Sequence, residues 1–463
     1  MDESSAPSPV YSDESRKLLR LFWPIILGQL AQIFIGVGDV VMAGLAGTRE
    51  LSGVAMGASF FGPVTLFLTG LTMVVHPVVS QLRGAGKEQE IPGKVQVATI
   101  VCISAALLSG LVLSQLHRIF TLIPADREML SIATGYLYAV SPALPAVVLI
   151  SILRSYSESL GYALPTLIFG FISLSINLPL NYIFIFGKCG APRLGGVGCG
   201  VASALTLYLT ALLFLLYTQK ARIYARVRLF RAWHPLKMQE ALACLKLGGP
   251  LGLSSAAEIL SYSIAVPVLS PFGPATVAAH TIAMNVTGVV FMVPLSLSIA
   301  ATIRTGISIG ARSRKQAIQV GKSAALISFI FLVLIDSFLL PGRGLLTSLY
   351  TDDPAVSTLA ATLLLFYSLC LLPDFVQCVS SGIIRGFKDT RTIFRVTIIA
   401  YWLAAVPLGS ALAWGLLFAP KLEACGIWIG YTLGITLAAV IYAIHVARLY
   451  RRELPPLQQQ SRF

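Results

Sequence analysis

The feature that most constrains this chain is a stretch of 57 residues, Leu247 to Ile303, with no Lys or Arg and a single carboxylate, Glu258. At about 1.5 Å of rise per helical residue and about 30 Å of hydrocarbon, such a stretch holds two membrane crossings with a turn between them, near Ser270 to Pro274. Glu258 then falls midway across the first crossing. A carboxylate at that depth is costly unless it meets a cation, a proton or a water-filled cavity, so its presence calls for a function. The rest of the chain has the same character: of 463 residues, 56% are hydrophobic and 12% charged, where soluble domains carry about 25% charged residues. Lipid offers no partners to backbone N–H and C=O groups, so the spans must be helices or a closed barrel. Long charge-free runs without period-two alternation select helices. The predicted fold is an all-α membrane protein.

Apolar runs place twelve spans near 18–46, 53–81, 95–116, 129–153, 165–187, 196–217, 248–271, 278–303, 323–341, 355–383, 396–418 and 426–447. An even number puts both termini on one side. With the termini cytoplasmic, 27 of the 34 Lys and Arg fall in inside segments, as the positive-inside rule requires. The net charge of +14 is thus an orientation signal. It is spread over span ends and forms no continuous basic face, so nucleic-acid binding is not expected. The first residues, 1–17, are acidic and Ser/Pro-rich, predict a disordered cytoplasmic tail, and show no signal peptide. Seven cysteines lack metal-ligand spacing and read as small apolar fillers; Cys189 and Cys199 flank one outer loop and are a possible pair in an oxidising compartment.

Sliding the chain on itself by 226 residues brings Pro24 onto Pro250 and Gly84-Ala85-Gly86 onto Gly310-Ala311-Arg312; a shift of 228 sets Pro145 against Pro373 and Gly198 against Gly426. Two pseudo-symmetric six-helix lobes follow, at 18–217 and 248–447, joined by a basic cytoplasmic linker at 218–247 and followed by a tail at 448–463. Even spans per lobe put the pseudo-twofold axis along the membrane normal, with a central cavity as the expected substrate site and alternating access as the expected motion.

The lobes are chemically unequal. The second carries Glu258 and Asp374 deep in spans 7 and 10, and the first carries Asp39 in span 1, with no Lys or Arg in either membrane core to neutralise them. Two carboxylates in one lobe make a hard-cation or shared-proton site; the plainer alternative is a protonated carboxyl bonded to a neighbouring helix. Asn177 and Asn181 lie on one face of span 5 at i, i+4, with Ser203 of span 6 as a partner; these groups either hold Asp39 or join helices. Asp336 lies one turn from a span end and is expected to reach the interface. Asp352 and Asp353 read as caps of the helix opening at Pro354, or as an outward cation-attracting pair. His76 and His280 read as packing residues without ligand spacing. Phe60, Phe61, Tyr262, Phe291 and Tyr367 are candidates to line a cavity for flat cations.

The runs LFWPIILGQLAQIFIGVGDVVMAGLAG, QLRGAGK, NLPLNYIFIFG with LGGVGCGVA, AAHTIAMN and LLPDFVQCVSSGIIRGFKDTR resemble the multidrug and toxic compound extrusion (MATE) family, in its bacterial NorM-like branch, over nearly the whole chain. The resemblance implies a twelve-helix antiporter of the bacterial inner membrane that exports cationic amphipathic drugs and dyes in exchange for Na+ or H+, with no cofactor. It places Glu258 and Asp374 at the family's cation-coupling positions, as Na+ ligands if Na+ is the ion, and Asp39 at its first-lobe acidic position. Where some NorM-like proteins have a Tyr four residues before the span-10 acid, this chain has Cys370, which leaves the ion open. Archaeal members have a second Asp where Asn181 stands, so a first-lobe Na+ site of that kind is not expected. Asp352 and Asp353 match the outer region that drugs contact in some relatives, and His280 joins the cavity candidates. A lipid-linked oligosaccharide flippase would share the architecture but needs cationic residues in its cavity; an enzyme would need a nucleophile, base or metal constellation near an interface, and no HExxH or clustered His occurs. A channel would need rings from oligomer symmetry, whereas this chain is expected to act as a monomer.

Overall fold

The computed structural model describes residues 9–115, 126–416 and 420–452. Among them there is no strand, and twelve helices are long and apolar enough to cross a membrane: Asp13–Ala46, Thr48–Gly84, Glu88–Ser114, Arg127–Ser159, Leu164–Phe186, Gly196–Lys220, Met238–Phe272, Pro274–Gly310, Arg314–Ser348, Pro354–Gly386, Thr390–Trp414 and Glu423–Arg451. These are the first to twelfth spans, in the number and order that the apolar runs predict. Residue 116 of the expected third span, 417–418 of the eleventh, 1–8 of the leading tail and 453–463 of the closing tail lie outside the described residues.

From Pro9 onward the segment expected to be disordered is helical and continuous with the first span. The cause is a charge clamp. Glu14 is 2% exposed and accepts from Arg304 Nε at 3.1 Å, Arg304 Nη2 at 2.7 Å and Gln316 Nε2 at 3.1 Å. A charge-assisted, two-pronged contact of this kind holds the helix start in place. Its partners stand 290 and 302 residues away along the chain, so local composition gave no sign of it.

The described residues form two compact units whose boundaries fall inside helices. The first unit is Pro24–Ala256; the second joins the residues up to Trp23 to those from Ala257 onward. In the first, Leu68, Val79, Leu144, Ile152, Tyr156 and Phe214 belong to one buried core, with Phe169 stacked on Phe214 at 4.4 Å. The basic segment after the sixth span is packed onto this unit: Tyr224 is fully buried and donates to Ser157 Oγ at 2.8 Å, and Tyr156 donates to the Val227 carbonyl at 2.5 Å. In the second unit, Gly426, Gly430 and Gly434 repeat every fourth residue along the twelfth span. A Cβ on Gly430 would stand 2.4 Å from the Gly409 Cα of the eleventh span, so absent side chains let two backbones touch, the usual device where lipid supplies no hydrophobic drive between helices. Outward faces such as Leu107, Leu108 and Leu111 are exposed and apolar, as a lipid-facing surface requires.

Candidate functional site

In the second unit, the seventh, tenth and eleventh spans bring an acidic pair together. Asp374 is 4% exposed and Glu258 half-buried, and each lies within electrostatic reach of the other. Among the described residues neither forms an ion pair with Lys or Arg. The Tyr401 hydroxyl donates to Glu258 Oε1 at 3.1 Å and accepts from Gln377 Nε2 at 2.9 Å. Tyr401 sits in a π-helical segment, Ile398–Ala405, inside the eleventh span; such segments are rare and recur at functional sites. The segment turns two consecutive residues to one neighbour, because Trp402 Nε1 donates to the Ala257 carbonyl at 3.0 Å while Tyr401 reaches Glu258. Tyr262 packs edge-on to Tyr401 at 5.8 Å and to Tyr431 at 5.0 Å. Tyr367 lies beside Asp374, its buried hydroxyl without a hydrogen-bond partner of good geometry. Two carboxyl groups, phenolic oxygens and an aromatic wall can hold one hard cation or share a proton.

In the first unit, Asp39 is received by the residues expected to hold it. Asn181 Nδ2 donates to Asp39 Oδ1 at 2.6 Å and to Asn177 Oδ1 at 3.0 Å, and Ser203 Oγ donates to Asp39 Oδ2 at 3.1 Å. Asn177 and Asn181 are fully buried. Their i, i+4 spacing on the fifth span aligns both amides on one face. Asn177 Nδ2 and Asn181 Oδ1 have no further partner.

The remaining candidates scatter. Tyr262 and Tyr367 belong to the acid pair. Phe291 is half-buried. His280 is 2% exposed, its Nδ1 taken by Trp428 Nε1 at 3.2 Å, a packing arrangement that fits the reading from the residues alone. Asp353 caps the tenth span, accepting from Ala355 N at 2.9 Å, while Asp352 is exposed. Asp336, expected to reach the interface, accepts from Ser368 Oγ of the tenth span at 2.5 Å. The seven cysteines are free, and Cys189 is exposed, so it is no apolar filler. Among the described residues no three His, Cys, Asp or Glu side chains gather as a metal site.

Sequence reasoning passed over Gln377, Tyr401 and Glu158. Gln377 stands three residues after Asp374 and so shares its helix face, a signal that was present. Tyr401 depends on the π-helical segment, which no sequence pattern announced. Glu158 is 2% exposed and bonds His76; ending the fourth span at 153 left it in a loop, whereas the helix runs on to Ser159. The first lobe therefore does not carry Asp39 alone. Arginines stand at the ends of the fourth and tenth spans as well, the half-buried Arg154 and the buried Arg385.

The MatE family profile matches the chain twice, at residues 24–183 and 250–410. The two matches start 226 residues apart (250 − 24), the shift found by sliding the chain on itself. The chain is 36% identical to the multidrug resistance protein NorM of Vibrio vulnificus over 96% of its own length and 97% of that protein. It is 37% identical to the multidrug resistance protein MdtK of Edwardsiella ictaluri, over 96% and 97%. The fold matches the crystal structure of the eukaryotic MATE transporter AtDTX14, with a TM-score of 0.85 at 21% identity over 98% of both chains. It also matches an outward-facing multidrug resistance MATE family transporter, with a TM-score of 0.82 at 18% identity over 97% of this chain and 99% of that one.

Proposed function

This chain belongs to the MatE family, and from that membership and its buried acids we propose that it is a secondary multidrug efflux transporter of the bacterial inner membrane. It exports cationic amphipathic drugs and dyes in exchange for Na+ or H+, as a monomer with both termini in the cytoplasm. The observation that supports the ion coupling is the Glu258–Asp374 pair, a half-buried and a buried carboxyl that form no ion pair with Lys or Arg among the described residues. Leaving two such carboxylates charged in a dry interior is costly, so the pair is stable only while a cation or proton attends it.

The cycle follows from charge. An ion from outside binds at Glu258 and Asp374, with Tyr401 and Tyr367 supplying oxygen at the rim, and neutralises the pair. The hold on a positively charged drug weakens and the drug leaves outward. Access then passes to the cytoplasmic side, the ion departs, and the restored negative charge draws in the next drug. Ion and drug must bind antagonistically, and the coupling is reciprocal. In the first unit, Asp39 with Asn177, Asn181 and Ser203 forms a polar site for drug or proton. The test is ethidium efflux from cells and everted vesicles. Asp374→Asn is expected to abolish ion-coupled efflux at wild-type membrane abundance, and full efflux in that variant sinks the reading.

A further inference from the structure

A second cluster of ionisable groups lies in the first unit, at the ends of the second and fourth spans, and the cycle above makes no use of it. His76 and Glu158 are 3% and 2% exposed, with His76 Nε2 and Glu158 Oε2 3.0 Å apart. Arg154 Nε stands 3.9 Å from the other oxygen, Glu158 Oε1, and Arg154 Nη2 donates to Gln29 Oε1 of the first span at 2.9 Å. Around them are Tyr156 and Tyr224, stacked at 5.6 Å, and Ser80 and Ser159, whose hydroxyls contact the His76 carbonyl. Arg83 donates to the Ser159 carbonyl at 3.4 Å. Two atoms are left over: His76 Nδ1 and Glu158 Oε1 are buried with no hydrogen-bond partner. Buried polar atoms are normally satisfied, so two orphans in one ion pair need an explanation.

The second unit supplies a control. Arg385-x-x-x-Asp389 repeats the spacing of Arg154-x-x-x-Glu158, and there too the acid meets a histidine, His445 Nε2 to Asp389 Oδ2 at 2.8 Å. That pair is partly exposed and its acid is well supplied, accepting also from Thr392 N at 3.4 Å and Thr392 Oγ1 at 2.9 Å as a helix cap. The two units thus hold one wet, satisfied His–acid pair and one dry pair with open atoms.

We propose that His76 and Glu158 form a proton-binding site in the first unit, separate from the Glu258–Asp374 pair, that loads and unloads from the side where the second and fourth spans end. With its ring proton on Nε2, His76 donates to Glu158 and Nδ1 is the open atom. A proton taken at Nδ1 changes the cluster of His76, Glu158 and Arg154 from neutral to +1. Histidine is the side chain suited to that change between pH 5 and 8. An uncompensated buried charge favours hydration, so acid on this side favours opening of this end of the unit.

The proposal rests on the transporter reading only for its second readout. The first uses the purified full chain with 15N-labelled imidazoles, five in all. One resonance, lost in His76→Gln, is expected to pass from neutral imidazole to imidazolium between pH 5.5 and 8 while His280 stays constant. Should His76→Gln not fold, the resonance displaced in Glu158→Gln makes the assignment. A His76 ring that keeps one form across the range overturns the proposal. The second readout is dye transport in proteoliposomes at fixed driving force, with pH varied on the side facing this cluster: wild type is expected to change by about threefold and Glu158→Gln to be flat. A wild-type pH profile in Glu158→Gln, at normal abundance, also overturns it.

Discussion

Asp39 and Glu258 are half-buried and Asp374 is buried, acids on two copies of one repeat, yet their surroundings differ. Asp39 is solvated by the protein: one amide and one hydroxyl donate to its two oxygens at 2.6 and 3.1 Å. Among the described residues, the Glu258 carboxylate receives one phenol at 3.1 Å, and Asp374 has the Tyr367 hydroxyl close by. Fixed donors favour the charged form of a carboxylate, whereas two neighbouring acids with few donors disfavour charging both at once. In the proposed cycle the two lobes divide the work, with polar recognition in the first and ion binding in the second.

The sharpest way to break this comparison is to neutralise each acid in turn. Asp374→Asn should remove all gradient-dependent dye efflux, while Asp39→Asn should leave measurable ion-coupled transport with an altered apparent affinity for drug; equal, complete loss in both would erase the distinction. Tyr401→Phe comes next. It deletes the phenol's hydrogen bond to the Glu258 carboxylate and is expected to shift the ion concentration for half-maximal efflux by about tenfold, upward where Na+ loses the phenolic oxygen and downward where a proton is the ion, the effect of a bond to a charged group at about 1.5 kcal/mol. A smaller change is expected for Ser203→Ala, because Asn181 still holds Asp39; about a threefold shift in apparent drug affinity, on the order of 0.5–1 kcal/mol, is the expected reading from dose–response curves. A larger effect of Ser203→Ala than of Tyr401→Phe would invert the ranking of the two sites.

Much of this was legible in residues alone, for physical reasons that can be named. Spans were legible because the bilayer demands long apolar helices, and the repeat because Pro and Gly punctuate both halves. Asp39, Asn177, Asn181 and Ser203 were legible as a group because helical spacing fixes which face a side chain takes. What stayed hidden depended on distant partners or on irregular backbone. Glu14 looked like part of a charged tail until Arg304 met it, Tyr401 reaches Glu258 through a π-helical segment, and Glu158 looked like a loop residue until the helix ran past it.

The most direct measurement asks whether drug and ion compete at the second-unit pair. Purified protein in detergent is loaded with radiolabelled Na+ or followed with a pH indicator, and ethidium is added. The account predicts that ethidium expels Na+ or a proton from the wild type and from Asp39→Asn, and neither from Glu258→Gln or Asp374→Asn. Undiminished release from either of those last two variants would contradict it.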